Sequence, residues 1–398
     1  MLLNLNYSLT ITGILNRYLN IFILNKLIFP FSLILLLFGV LFSTAQTADK
    51  LATKETKNLL KNLHNQAGKT ILFGHQDDLA YGVNWKYEPG RSDVKESAGQ
   101  YPALYGWDYS GIERDGGIVN IDKVPFDKMR QYIQQGYKQG GVITMSWHLN
   151  NPLTGKSAWD TTHGGVAAAL PGGVANKTYN EWLDKIAAFT LSLKGLKGEL
   201  IPVLFRPYHE LTGNWFWWTQ NTCTPDEFTK LWKYTITYLK DKKNVHNMLY
   251  VYNTAGDCKT KASFMERYPG DDWVDMVSFD AYQYNDPAKD NSFVQSVDKL
   301  LSIVDTVAKE HHKISCLAET GYEAIPYAEW WTNTLWKAIK NHSISYVLLW
   351  RNHGLQANGH LHYYVPFKND VSAADFKKFS KLSKITFEGQ VKNQQLYK

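Results

Sequence analysis

Leu200-Ile201-Pro202-Val203-Leu204-Phe205-Arg206-Pro207-Tyr208-His209-Glu210 is a mostly apolar stretch of strand length with a carboxylate at its C-terminal tip. A second stretch, Ile314-Ser315-Cys316-Leu317-Ala318-Glu319-Thr320, carries its glutamate in the same place. A carboxylate is expensive to desolvate and adds nothing to a strand, so there it serves chemistry or answers a cationic partner. Two ion-paired core glutamates satisfy the second reading. A carboxylate pair working on a glycosidic bond satisfies the first.

Strand-like runs with polar or turn ends recur on both sides of these two. They are Thr70–His75, Tyr101–Tyr109, Gly141–His148, Leu200–Glu210, Asn247–Asn253, Trp273–Tyr282, Lys313–Glu319 and Ser345–Asn352. Helix-like segments alternate with them. Pro125–Lys138 opens with Pro at an expected first helical position and spaces Phe126, Met129, Tyr132 and Ile133 at helical intervals. Thr224-Pro225-Asp226-Glu227 reads as a capped start. Ser292–Glu310 repeats apolar residues at helical period, and Tyr327–Lys340 supplies a further helix. Strands alternating with helices predict a (β/α)8 TIM barrel. An open doubly wound sheet competes, but no Gly-rich phosphate loop follows the first strand. Residues 47–398 read as a single catalytic domain, with Asn150–Lys177 as an elaborated loop after strand three.

Composition narrows the function classes. A net charge of +6 without a long basic block argues against nucleic acid. The 14 Trp and 24 Tyr exceed what a core needs and suggest platforms on which sugar rings stack. Residues 1–46 differ from the rest: Arg17 and Lys26 precede the apolar run Ile28–Phe42, and Ser43, Thr44 and Ala45 follow. That order predicts a secretory signal peptide cleaved after Ala45, with no stable membrane insertion of the mature protein and a secreted or periplasmic location. An uncleaved N-terminal anchor is the alternative. Cys316 reads as a core thiol, whereas Cys223 and Cys258 fall in predicted loops and are open to pairing.

In a barrel the active site is built at the C-terminal strand ends. Here these ends are His75 and Gln76, Trp107 and Asp108, His148, His209 and Glu210, Asn253, Asp280 and Tyr282, Glu319, then Trp350 and Arg351. Glu210 and Glu319 end strands four and seven, which face each other across the mouth. Carboxyls about 5–5.5 Å apart there give retaining hydrolysis through a covalent glycosyl-enzyme. Strand alternation would turn His209 away from Glu210, as a wall histidine. His75, His148 and His353 lack metal-site spacing, and His-Glu-x-x-His is absent, since Gly213 holds its last position. No metal and no cofactor are expected. Asn214-Trp215-Phe216-Trp217-Trp218 reads either as a hydrophobic plug or as a source of sugar platforms, with Trp159 and Trp350 as further candidates.

Phe73-Gly74-His75-Gln76-Asp77, Arg206-Pro207-Tyr208-His209-Glu210, Gly213–Trp218 and Ala318-Glu319-Thr320-Gly321 together resemble glycoside hydrolase family 26. The resemblance implies a retaining barrel acting on β-1,4-mannans, with Glu210 as acid/base and Glu319 as nucleophile. It further implies that His209 and His148 contact the bound sugar, and that Tyr282, in Phe279-Asp280-Ala281-Tyr282, hydrogen-bonds the nucleophile. Trp215 would be a leaving-side platform, with Trp350 and Arg351 on the glycone side. Asp280, as a strand end, and Trp159, in the loop after strand three, are further substrate-contact candidates from the residues themselves. The expected partner is β-mannan or manno-oligosaccharide, cut internally. Mannobiose-releasing exo-action, a β-glucanase or xylanase of the same family, and a non-catalytic surface glycan-binding protein are the alternatives.

Overall fold

The computed structural model describes residues 46–114 and 116–398, so the apolar segment read as a signal peptide lies outside the described residues. Eight strands carry the architecture: β1 Ile71–Gln76, β2 Leu104–Asp108, β3 Val142–Trp147, β4 Val203–Pro207, β5 Met248–Ala255, β6 Met276–Gln283, β7 Ile314–Tyr322 and β8 Tyr346–Leu349. Each pairs in parallel with the next. β8 then pairs with β1, Leu72 beside Tyr346 and His75 beside Leu349, so the sheet closes on itself. Helices between the strands complete a (β/α)8 barrel, the expected fold.

The strands keep a period of two, with a buried face on either side. Leu72, Leu104, Val142, Leu204, Leu249, Met276, Ile314 and Tyr346 fill the barrel interior. Their neighbours Phe73, Tyr105, Ile143, Val203, Tyr250, Val277 and Val347 pack under the helices. Further along, the inward positions turn polar: Thr144, Ser146, Arg206, Asn253, Ser278 and Asp280 are all buried. The interior is therefore an apolar floor under a polar upper layer, and that layer opens at the C-terminal mouth.

The helices confirm most of the expected signals. Thr224 caps Pro225–Thr237 reciprocally: its hydroxyl accepts from the Glu227 N–H at 3.2 Å, and the Glu227 carboxylate accepts from the Thr224 N–H at 2.8 Å. Ser292–Glu310 buries Val297, Leu300, Leu301, Val304 and Val307. Two details differ. Pro125 is the extended N-cap of Phe126–Lys138, not its first helical residue. The helix expected over Tyr327–Lys340 is a π-helical stretch, Trp331–Leu335, continued by Trp336–Ile339. Trp330 and Trp331 are both buried, with rings 5.0 Å apart, and a widened turn accommodates consecutive indoles on one side.

Candidate active site

Glu319 reaches the barrel mouth through an irregularity. Ile314, Cys316 and Ala318 alternate into the interior core, and continued alternation would send Glu319 outward, under the helices. Instead the pairing of β6 with β7 runs Phe279 with Leu317 and then Asp280 with Glu319, so Ala318 is an extra residue. The matching shift on the other side lies between Val347 and Leu349 of β8. Such a bulge reverses the parity of all that follows and re-aims the glutamate inward.

Glu210 is placed by a different device. β4 ends at Pro207, three residues earlier than expected, and both Tyr208 and Glu210 have φ of +53°. Non-glycine residues in this left-handed region cost about 1–3 kcal/mol each and persist where surrounding contacts overrule the cost. The contacts are specific. Tyr208 is buried among Trp217, Trp218, Phe228 and Trp232, and the Glu210 N–H donates to Asn253 Oδ1 at 2.8 Å. Strand alternation therefore does not govern His209 or Glu210, which corrects the expectation for His209. Its ring turns into the site, with Nε2 3.0 Å from Nε2 of His148.

Carboxyl oxygens of Glu210, Asp280 and Glu319 lie within 4.8 Å of one another. One guanidinium serves this group. Arg206 donates to Asp280 at 2.7 Å and to Glu319, and is itself buried. Glu319 also accepts from the Tyr282 hydroxyl at 2.8 Å, so two donors stabilise its charge. Glu210 lacks such a cation: burial and the nearby Glu319 push its carboxyl up to about 7, against a hydrogen bond from Trp215. That bond runs from the indole N–H to Glu210 Oε2 at 2.6 Å and leaves Oε1 for a proton. A carboxyl pushed up toward its protonated form, beside one that accepts from a guanidinium and a phenol, suits the acid and nucleophile of a retaining hydrolase.

His148 is fixed from behind. Its Nδ1 lies 2.6 Å from Asp108, which also accepts from Ser146 at 2.7 Å. Burial opposes charge on His148, but Asp108 overcomes it and holds the ring above its ordinary value. Burial, His148 and Arg206 hold His209 well below its ordinary value. We therefore assign neutral His209 as acceptor from His148.

Aromatic walls surround these groups. Trp159 is exposed and stacks on His148 with ring centres 5.4 Å apart and planes 18° apart. Trp215 is exposed in part, and Trp350 lies 6.3 Å from His148 on the opposite wall. Trp217 and Trp218 are fully buried and donate to backbone carbonyls of Leu149 and His209 at 3.0 and 2.9 Å. The Trp215–Trp218 run thus divides between platform and plug. Arg351 pairs with Asp122 at 2.5 Å at one end of the cleft, beside a cavity of about 440 Å³ lined by Tyr81, Asp122 and His353. At the other end Glu210, Trp215, Asp257 and Tyr284 line a cavity of about 500 Å³. A larger cavity, about 880 Å³, lies away from the mouth against the C-terminal segment, with Glu199 among its lining residues.

A model of glycosyl hydrolase family 26 matches residues 48–352. The chain belongs to this family. It is 44% identical to a family 26 β-mannanase of Bacteroides ovatus, with a TM-score of 0.82 over 87% of this chain and 98% of that one. A modular endo-β-1,4-mannanase of Cellulomonas fimi is 31% identical, with a TM-score of 0.77 over 87% of this chain and 78% of that one. A mannan endo-1,4-β-mannosidase of Bifidobacterium adolescentis is 34% identical over 361 residues, which are 86% of this chain but 35% of that protein. One of Bacillus subtilis is 30% identical over 241 residues, 58% of this chain and 63% of that one. The chain thus spans about a third and under two thirds of these two curated relatives.

The family 26 barrel brings all ten of the expected site residues to one mouth, counting Trp159 and Arg351 at its edges. Sequence reading gave no partner role to Asp108, Asp122, Arg206 or Asn253. Arg206 sat in a quoted motif, and its inward parity two residues after Leu204 was the available signal. Cys223 and Cys258, left open to pairing, are free buried thiols: Cys223 lies 3.4 Å from Arg267 and Cys258 3.9 Å from Thr212. No helix among the described residues is long and apolar enough to cross a membrane.

Proposed function

We propose that this family 26 chain is a retaining endo-β-1,4-mannanase using Glu210 as acid/base and Glu319 as nucleophile. The observation that carries the reading is the carboxyl pair within 4.8 Å, with Glu210 pushed up to about 7 by burial and by Glu319. Inverting enzymes need about 6.5–9.5 Å to seat a water, so this spacing favours double displacement. Glu210 gives its Oε1 proton to the glycosidic oxygen while Glu319 attacks the anomeric carbon, and a glycosyl-enzyme forms. Glu210, now a carboxylate, takes a proton from the incoming water, which releases the sugar with its original configuration.

Mannan as substrate draws on the activities of the relatives and on the polar pair His148 and His209 beside the reacting centre. Trp215 stands on the leaving side with Glu210, while Trp350 and Arg351 stand on the glycone side. Hollows on both sides of the carboxyls favour internal cleavage over release of mannobiose from an end. The Ile28–Phe42 run with its basic flank supports export through a signal peptide, with residues 47–398 as the catalytic domain.

Products from linear β-1,4-mannan and mannohexaose, followed in time beside a Glu210→Ala variant, test the reading. Falling viscosity with mixed oligosaccharides from wild type alone is expected. Mannobiose alone from the start would shift the reading to exo-action. Hydrolysis of β-glucan or xylan instead would change the substrate and leave the mechanism. Mannan binding without any product would leave a glycan-binding protein.

A further inference from the structure

Outside the cleft, one cluster of three metal-ligating side chains among the described residues has no part in the proposed chemistry. Glu323 follows β7, and His360 and His362 lie on the returning arm of a small hairpin, Gly354–Leu355 with Leu361–His362, that follows β8. Alternate residues of extended chain project from one face, so a His-x-His pair offers both rings on the same side. Both rings reach the same oxygen: Glu323 Oε1 is 2.9 Å from His360 Nε2 and 2.5 Å from His362 Nδ1. The three donor atoms lie within 4.8 Å of one another. The other ring nitrogen of His362, Nε2, is buried without a hydrogen-bond partner among the described residues. The tautomer whose Nδ1 lone pair faces Glu323 puts its proton on Nε2, a buried N–H without an acceptor whose cost an ion at Nδ1 must offset.

We propose that Glu323, His360 and His362 bind a divalent transition-metal ion, of which zinc is the best match. Two imidazoles and a carboxylate are borderline-soft donors that suit zinc, whereas calcium and magnesium want oxygen ligands. Donors around a tetrahedral zinc stand about 3.4 Å apart, so the two glutamate–histidine spacings need to open by less than about 1 Å. His360 is exposed, which leaves a fourth position to water. Arg351 acts on His362 from nearby, but its charge is answered by Asp122 at 2.5 Å.

The ion would clamp the hairpin after β8 to the segment after β7, and the clamp bears on the cleft. His362 packs on Tyr364 with rings 5.1 Å apart, and Tyr364 packs on Tyr282 at 5.7 Å. Tyr364 lies so close over Gly321 that a Cβ there would come within 2.2 Å of its ring. Tyr282 in turn donates to Glu319. The metal site itself stands on its donors alone and is independent of the proposed mannanase activity.

Full-length protein stripped with a chelator and titrated with zinc chloride in a calorimeter is the test. Wild type is expected to take up one saturable equivalent and to unfold several degrees higher when loaded. Cobalt chloride should give the visible absorption bands of a four-coordinate ion. Glu323→Gln, which keeps the hydrogen-bonding shape, and His360→Asn, at an exposed position, should each bind zinc about 100-fold more weakly or worse. Neither should change the melting of the metal-free protein by more than about 1 °C. Absence of saturable binding by wild type overturns the proposal, as does equal binding by both variants.

Discussion

Asp280 stands opposite Glu319 in the pairing of β6 with β7, and Ala318 stands opposite nothing. One unpaired alanine thus decides whether the second glutamate faces the barrel mouth or the helices. Glu319→Ala should lower kcat by about 10⁴-fold or more, as loss of a nucleophile does elsewhere, and leave the circular dichroism spectrum unchanged. Deleting Ala318 removes the extra residue and leaves Glu319 directly after outward-facing Leu317 and opposite Asp280, so the glutamate should still face the mouth and the variant should keep far more activity than Glu319→Ala. An Ala318 deletion that folds but is as inactive as Glu319→Ala would refute the account of the bulge.

The pH profile should report on Glu210. The free enzyme needs this carboxyl protonated, so kcat/KM should fall as pH rises through about 7. The same shift has a stability consequence. Folded-state Glu210 is raised above its unfolded value of about 4.3, so between these values the native state keeps a proton that the unfolded chain has lost. The native state therefore loses stability as pH rises through that window. Glu210→Gln should make the slope shallower, leaving the share that buried Asp275 contributes, and stabilise the protein at pH 8 by on the order of 1–3 kcal/mol, read by urea unfolding at pH 5 and pH 8.

The indole of Trp215 offers a separable test. Its N–H stabilises the ionised form of Glu210, so Trp215→Phe keeps an aromatic face and removes that bond. The basic limb of the profile should move upward, by about half a unit to one unit. Trp215→Ala should add a rise in KM for mannohexaose, because the platform goes as well.

Much of the barrel could be read from the chain, because eight apolar runs with polar ends are a direct image of strands that bury both faces. The two glutamates stood out for the same reason: each is a charge at the end of an apolar run. What could not be read is where alternation fails. Ile314, Cys316 and Ala318 set a parity that Glu319 breaks, and residue identity at Ala318 does not announce a bulge. Tyr208 and Glu210 adopt positive φ because Tyr208 is drawn into an aromatic cluster supplied by residues far along the chain. His209 was misplaced by the same route. The partners Asp108 and Asp122 were missed because an aspartate's role depends on which histidine or arginine the closed barrel brings beside it.

Arg206 answers two buried acids at once. Arg206→Met should cost about 3–5 kcal/mol in urea unfolding, since Asp280 and Glu319 would be left without their cation. Arg206→Lys should recover part of that stability but little activity, because an ammonium lacks the fork that reaches both carboxylates.

The central claim is that Glu319 forms a covalent bond to the sugar while Glu210 supplies the proton. Incubation with a 2-deoxy-2-fluoro-β-mannosyl fluoride, followed by mass spectrometry of the digested protein, tests it most directly. The account predicts slow inactivation and one glycosylated peptide whose modified residue is Glu319. Label on any other residue, or turnover with an α-configured first product, would contradict it.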